Sequence, residues 1–224
     1  LGLKGQPSIA ESIYVARNIL ISQYLDLPLH IAHVSCKESV ELLSWAKNKG
    51  IRITAETCPH YLVWEESRVE EFDSLAKVNP PLRSSDDRLA LRQAVREGIV
   101  DILATDHAPH AGHEKDVPFA QAPPGISGLD TALSLTWSLV EQNIFTLEDI
   151  FRTWCHNPGR IFNVNSNQFR VNDPADFLLF QPSDNWEVVA ENMRSKGKNT
   201  PCLGKKLPGR IKYHFIKGKL VFEA

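Results

Sequence analysis

Residues 99–110 read Ile99-Val100-Asp101-Ile102-Leu103-Ala104-Thr105-Asp106-His107-Ala108-Pro109-His110. Five of the first six positions are apolar, the pattern of a strand buried on both faces, and such strands belong to parallel sheets covered by helices. An acid and two imidazoles follow, and in parallel α/β architectures the reacting groups collect at the carboxyl ends of strands. Asp106 there can hold a metal or act as a general base, with His107 and His110 as further ligands or donors. The plainer alternative is a solvated turn in which Asp106 caps backbone amides. Two histidines beside a long loop weigh against it.

That loop, Thr105 to Gly128, is far longer than the usual connection, and structureless loops of such length inside compact domains are functional or disordered. Its Pro123-Pro124-Gly125 and Gly128 either offer bare backbone groups to a ligand or form an ordinary loop. Upstream, a helix from about Asp86 to Glu97 ends at Gly98. Before it, the β-branched run Ile51 to Thr57 predicts a strand, Cys58-Pro59-His60 a loop, and residues 65–72 a weak helical patch. An extended piece, Leu75 to Val78, is stopped by Asn79-Pro80-Pro81, because two prolines continue neither a helix nor a central strand. Asn79 can present its amide to a ligand or be a plain turn residue.

Further upstream, Leu29 to Val34 predicts a strand, Ser35 and Glu38 have capping-box spacing, and a helix runs through Lys49 to a C-terminal Gly50. Alternation along the strand places His33 with Ile31 and sends His30 to the other face. If this strand and 99–104 share one barrel, His33 and Asp106 project from the same rim, and imidazole plus carboxylate suits zinc or a similar ion. Glu56 and His60 flank the intervening strand's end and read as structural residues or as partners standing behind the ligands. Residues 8–25 read as a helix with Ser8 and Glu11 at capping-box spacing and Ile9, Ile13, Ala16, Ile19, Leu20 and Tyr24 at helical period.

Downstream, helices are expected near 130–141 and 147–155, the second opening on Thr146 and Asp149 at capping spacing. From Asp173 the chain changes to short strands, Asp176 to Phe180, Trp186 to Val189 and Ile211 to Phe222, which form a small β module. Of the 224 residues 42% are hydrophobic and 23% charged, with net charge -2, so composition is globular and no basic patch points to nucleic acid or an anionic membrane. A small neutral or anionic substrate fits better. Cys36, Cys58, Cys155 and Cys202 form no CxxC pair and read as free thiols of a cytoplasmic protein, and no apolar run reaches membrane-spanning length.

Taken together, His30-Ile-Ala-His33-Val-Ser, Glu56-Thr-Cys-Pro-His60, Asn79-Pro-Pro-Leu-Arg83, Ala104-Thr-Asp106-His-Ala-Pro-His110 and Pro124-Gly-Ile-Ser-Gly128-Leu-Asp130 resemble the ordered motifs of the bacterial dihydroorotases, within the amidohydrolase superfamily. Asn157-Pro158 and Lys198-Asn199-Thr200-Pro201 are similar to that family too. The resemblance implies an α/β fold: a partial (β/α)8 TIM-type barrel over 1–172, with part of a small β-sandwich over 173–224. It implies a zinc-dependent enzyme, with one or two divalent ions, that interconverts carbamoyl aspartate and dihydroorotate. Asp106 then binds metal and serves as general base and acid, His33 is a metal ligand, and Asn79, His110, Pro124 and Gly125 contact the substrate. Arg83 carries no assigned role.

The family's His-x-His pair, bridging group and remaining metal histidine have no counterpart here, and about three barrel strands are found where eight are needed. With the start at Leu1 in place of Met, this raises the expectation of a truncated, inactive piece that needs a missing N-terminal barrel half. A homodimer and association with aspartate transcarbamoylase are the other partners the resemblance allows. Allantoinase or hydantoinase activity, and an inactive scaffolding subunit, remain the alternatives.

Overall fold

The computed structural model describes residues 1–164 and 169–224. Helix α1, Ser8–Leu25, leads to strand β1, Leu29–Ile31, helix α2, Lys37–Asn48, and strand β2, Ile53–Thr57. Short helix α3, Pro59–Val63, precedes α4, Ser85–Arg96, and strand β3, Ile102–Leu103. β1, β2 and β3 lie side by side in one parallel sheet, with Leu29 opposite Ile53 and Glu56 opposite Ile102. Helices α2 and α4 pack over this sheet, burying Val40, Leu43, Leu91 and Val95 against Ile31, Ile53, Ala55 and Leu103. Completely burying a side chain such as Leu43 contributes roughly 1.5–3 kcal/mol.

Two of the expected strands are shorter than their apolar runs. β1 stops at Ile31 and β3 at Leu103, yet cross-strand bonds continue past both ends, Val34 N–H to the Glu56 carbonyl at 2.9 Å and Ala104 N–H to the Thr57 carbonyl at 3.0 Å. The expected extended piece 75–78 opens instead as a 3-10 turn, Ser74–Ala76, because the Asp73 carboxylate accepts from Leu75 N–H at 2.9 Å. Residues 66–69, expected as weakly helical, are a 3-10 turn as well.

Capping differs too. Neither α1 nor α2 has a side-chain cap: Glu11 turns away from Ser8 to the Ser35 and Cys36 side, and Lys37 N–H is satisfied by Asp87 of α4 at 2.9 Å. The box at Thr146 and Asp149 does form, as does one at Ser84 and Asp87 that opens α4. Such caps contribute about 1 kcal/mol.

After β3 come α5, Gly112–Lys115, α6, Ala132–Glu141, and α7, Leu147–Phe151. The helix expected over 147–155 widens into a π-helical turn at Arg152–His156 before α8, Asn157–Ile161. The tail is an antiparallel sheet of β4, Phe177–Glu187, β5, Lys206–Ile216, and β6, Lys219–Glu223. The two short strands expected at 176–180 and 186–189 thus belong mainly to one bulged strand, and 211–222 folds back on itself at Lys217-Gly218.

The tail sheet docks on α6, with Leu135 packed among Val188, Met193, Cys202 and Leu207. Ser134 Oγ donates to the Gly209 carbonyl at 2.9 Å and accepts from Trp186 Nε1 at 3.0 Å. On α1 the buried positions are Ser12, Val15, Ile19 and Ser22, whereas Ile9, Ile13, Leu20 and Tyr24 of the expected apolar stripe face outward. Among the described residues no helix is long and apolar enough to cross a membrane.

Candidate metal centre

β1, β2 and β3 end at the same rim of the parallel sheet, and the side chains beyond their last residues converge. His33 and Asp106 both adopt left-handed backbone, φ 57° and 44°, a region costly for residues other than glycine and frequent at functional sites. His33 Nε2 lies 3.7 Å from Asp106 Oδ1, so the two residues singled out as ligands do face one another. His33 Nδ1 lies 3.1 Å from Glu56 Oε1, and with Nδ1 donating, the Nε2 lone pair is left pointing at Asp106.

His33 leaves the face of Ile31 that strand alternation predicted for it, while His30 stays on the face of its pair partner Thr54. His30 Nε2 lies 3.1 Å from Glu56 Oε2 and its Nδ1 2.8 Å from Thr54 Oγ1, so both imidazoles grip one carboxylate. The reason is that β1 ends at Ile31 and the left-handed His33 swings the ring around, which breaks the alternation. Burial by itself would raise the Glu56 carboxyl. The hydrogen bonds and charges of His30 and His33 outweigh it and hold Glu56 at about 2. The Glu56 hydrogen bond in turn raises His33, against burial and with the help of the Asp106 charge.

Cys58, one residue past β2, was read only as a free thiol. Its Sγ is 4.0 Å from His33 Nδ1, and donor atoms of His33, Cys58 and Asp106 all lie within 4.8 Å of one another. Burial, with Asp106 and Glu56 adding, pushes the Cys58 thiol well above its usual value, which disfavours the thiolate form that binds metals. All four cysteines are unpaired. A divalent cation therefore fits the donor types here, imidazole nitrogen and carboxylate oxygen in facing positions, with Cys58 in reach. His60 is buried edge-on against Tyr61, and burial lowers it to about 3.

The substrate-contact candidates gather around the long loop. His110 Nε2 is 3.2 Å from the Pro124 carbonyl, and Gly125 N–H donates to the Lys77 carbonyl at 2.8 Å, which brings Pro124–Gly125 close to the Asn79 segment. Asn79 itself is exposed and joined to Pro80 by a cis peptide bond. Gly125 has φ 144°, and a Cβ there would sit 2.7 Å from the Ala108 Cβ and 2.9 Å from His110 Nε2, so only glycine lets these strands of loop touch.

Three contacts here escaped the sequence reading. His107, considered as a ligand, instead accepts Leu129 N–H on Nδ1 at 3.2 Å. Lys115, buried, donates to the Pro123 and Gly125 carbonyls at 2.8 and 3.1 Å. Asn199, equally buried, bonds both sides of the loop. A lysine inside an apparently polar loop and an asparagine nearly ninety positions away carry no local signal of these contacts.

The Amidohydrolase family profile matches residues 29–221. Dihydroorotase of Syntrophus aciditrophicus is 42% identical over 223 residues, covering all of this chain and 52% of that protein. Dihydroorotase of Caldanaerobacter subterraneus is 43% identical over 224 residues, again 52% of its length. Among solved structures, L-hydantoinase (dihydropyrimidinase) of Arthrobacter aurescens superposes with TM-score 0.91 at 27% identity, over 97% of this chain and 50% of that one. The chain spans about half the length of the relatives it matches.

Proposed function

The chain belongs to the amidohydrolase family, and from that premise we propose that it carries one side of the active site of a dihydroorotase, which opens and closes the cyclic amide of dihydroorotate. The observation that carries the reading is the facing of His33 Nε2 and Asp106 Oδ1 at 3.7 Å, with Glu56 behind the imidazole. In this proposal His33 and Asp106 hold the metal, and the donors that complete a zinc centre of three protein ligands come from protein outside these 224 residues. The division into barrel (1–172) and β-sandwich (173–224) portions is part of the same proposal.

A divalent cation, when bound, lowers the pKa of a water and polarises the amide carbonyl. The protein's own groups supply the rest. Glu56 fixes the His33 ring so that Nε2 faces the centre. Asp106 accepts the water's proton on its carboxylate and delivers it to the departing ring nitrogen. Asn79, His110 and the backbone of Pro124–Gly125 hold the ring, the imidazole suiting a carboxylate substituent.

Hydantoinase chemistry is the second reading, favoured by the superposition on L-hydantoinase. Turnover of dihydroorotate, hydantoin and allantoin by protein containing this chain separates the readings. Preference for dihydroorotate supports the first; preference for hydantoin or allantoin overturns it.

A further inference from the structure

The long loop leaves β3 and returns to α6 through two arms, 105–110 and 124–129, that run side by side. His107 and Ile126 form a parallel bridge, Ala108 N–H donates to the Ile126 carbonyl at 2.9 Å, and Leu129 N–H donates to His107 Nδ1 at 3.2 Å. One arm carries His110 and the other Pro124 and Gly125, so the gap between the arms sets the gap between the substrate contacts proposed above.

A third segment sits across both arms. Asn199 Oδ1 accepts from His110 N–H at 2.8 Å, while its Nδ2 donates to the Ala108 and Gly125 carbonyls, each at 3.0 Å. The Asn199 carbonyl accepts from Ser127 N–H at 2.8 Å. An N–H on one side and two carbonyls on the other fix which way the amide points, and both Nδ2 hydrogens are used. The segment is pressed close: a Cβ at Gly197 would lie 2.6 Å from the Pro109 Cβ and 2.9 Å from the backbone of His110. Asn199 is 3% exposed, so water does not compete for these bonds.

We propose that Asn199 is a positioning residue: its carboxamide sets the spacing of the two arms, and through it the distance between His110 and the Pro124–Gly125 backbone. This rests on the dihydroorotase reading for its consequence in substrate binding, but not for its geometry. No other amino acid of this size offers one acceptor and two donors from a flat group. Asp keeps the acceptor for His110 N–H and sets a negative oxygen against two carbonyls; Ala keeps nothing.

The test is amide hydrogen exchange by NMR on the chain and its Asn199→Ala and Asn199→Asp variants. Ala108 N–H is the decisive reporter, because it bonds Ile126 and never touches the Asn199 side chain. Asp101 N–H, bonded to the Ala55 carbonyl within the parallel sheet, reports global opening. We expect Ala108 to exchange at least about tenfold faster in both variants while Asp101 is unchanged, with His110 N–H released in the Ala variant and held within about threefold in the Asp variant. Ala108 unchanged in both variants, or Asp101 accelerating in step with it, overturns the proposal. Carbamoyl aspartate added to protein containing this chain examines the ligand assignment separately: absence of slowed exchange in either arm counts against that assignment, and the spacing role of Asn199 is decided by Ala108 against Asp101.

Discussion

His33 and Glu56 are joined through Nδ1 and Oε1 at 3.1 Å, and that bond aims the opposite ring nitrogen at Asp106. A histidine facing a metal needs its other nitrogen occupied, since a free ring rotates and presents either tautomer. Glu56 is itself held by His30, which Thr54 secures in turn, so a chain of side chains from the parallel sheet fixes the angle of the His33 ring.

Replacing Glu56 by Gln keeps the shape and removes the charge. A neutral amide grips two imidazoles less firmly and can offer an N–H where the carboxylate only accepted. Metal affinity in protein containing this chain is expected to fall about 10–100-fold. Titration with Zn2+ or Co2+ measures it, and an unchanged affinity refutes the orienting role.

If Asp106 acts as proposed, Asp106→Asn weakens a metal donor and removes the proton carrier. Turnover is expected to fall by at least about 10²–10⁴-fold, the range attributed to a positioned general base. The far-ultraviolet circular dichroism spectrum should not change, because Asp106 lies at the rim and, among the described residues, no backbone N–H is bonded to its carboxylate. Near-normal turnover refutes the assignment.

Asp106 and His33 were legible because each follows a short apolar strand, and the ends of parallel strands lie at one rim. The grip of His30 and His33 on one carboxylate was not, because alternation holds only while the backbone stays extended, and His33 leaves that region. Capping pairs show a related limit. Thr146 with Asp149 closes on itself, whereas Glu11 at the same spacing from Ser8 is drawn to Ser35 and Cys36 across the fold. Spacing identifies groups able to meet locally; a buried partner elsewhere decides whether they do. The outward face of α1 teaches the same, since Ile9, Ile13 and Tyr24 have helical period without being buried.

Gly209→Ala tests how the tail sheet is seated. Gly209 has φ 76°, and an added Cβ would collide with the Phe180 ring, which meets Trp137 edge-on at 5.1 Å between centroids. The methyl group must displace the ring and strain a left-handed backbone, a combined cost of about 2–4 kcal/mol. Urea unfolding followed by tryptophan fluorescence measures the loss. A change below about 0.5 kcal/mol, the scale of neutral surface substitutions, shows that the ring moves freely and the seat is loose.

Lys115 makes a prediction about pH. Burial, with Lys77 adding, brings its ammonium down to about 8 from the usual 10.5. Between those values the unfolded chain binds the proton and the folded chain does not, so stability contributed by this group rises as pH climbs from about 8 to 10.5 and is flat below. The neutral amine still has two hydrogens, enough for the Pro123 and Gly125 carbonyls, so the loop keeps its bonds as the proton leaves. Lys115→Met removes both the titration and the bonds. The variant should be less stable by about 1–3 kcal/mol near neutral pH, because it takes the Lys115 donor from the Pro123 carbonyl and leaves the Gly125 carbonyl to Asn199 alone, and the difference from the unmutated chain should widen between pH 8 and 10.5. Urea unfolding of the pair at several pH values isolates the group, since every other titration is shared and cancels in the difference. A gap that stays constant across that window shows that Lys115 titrates as an ordinary surface lysine.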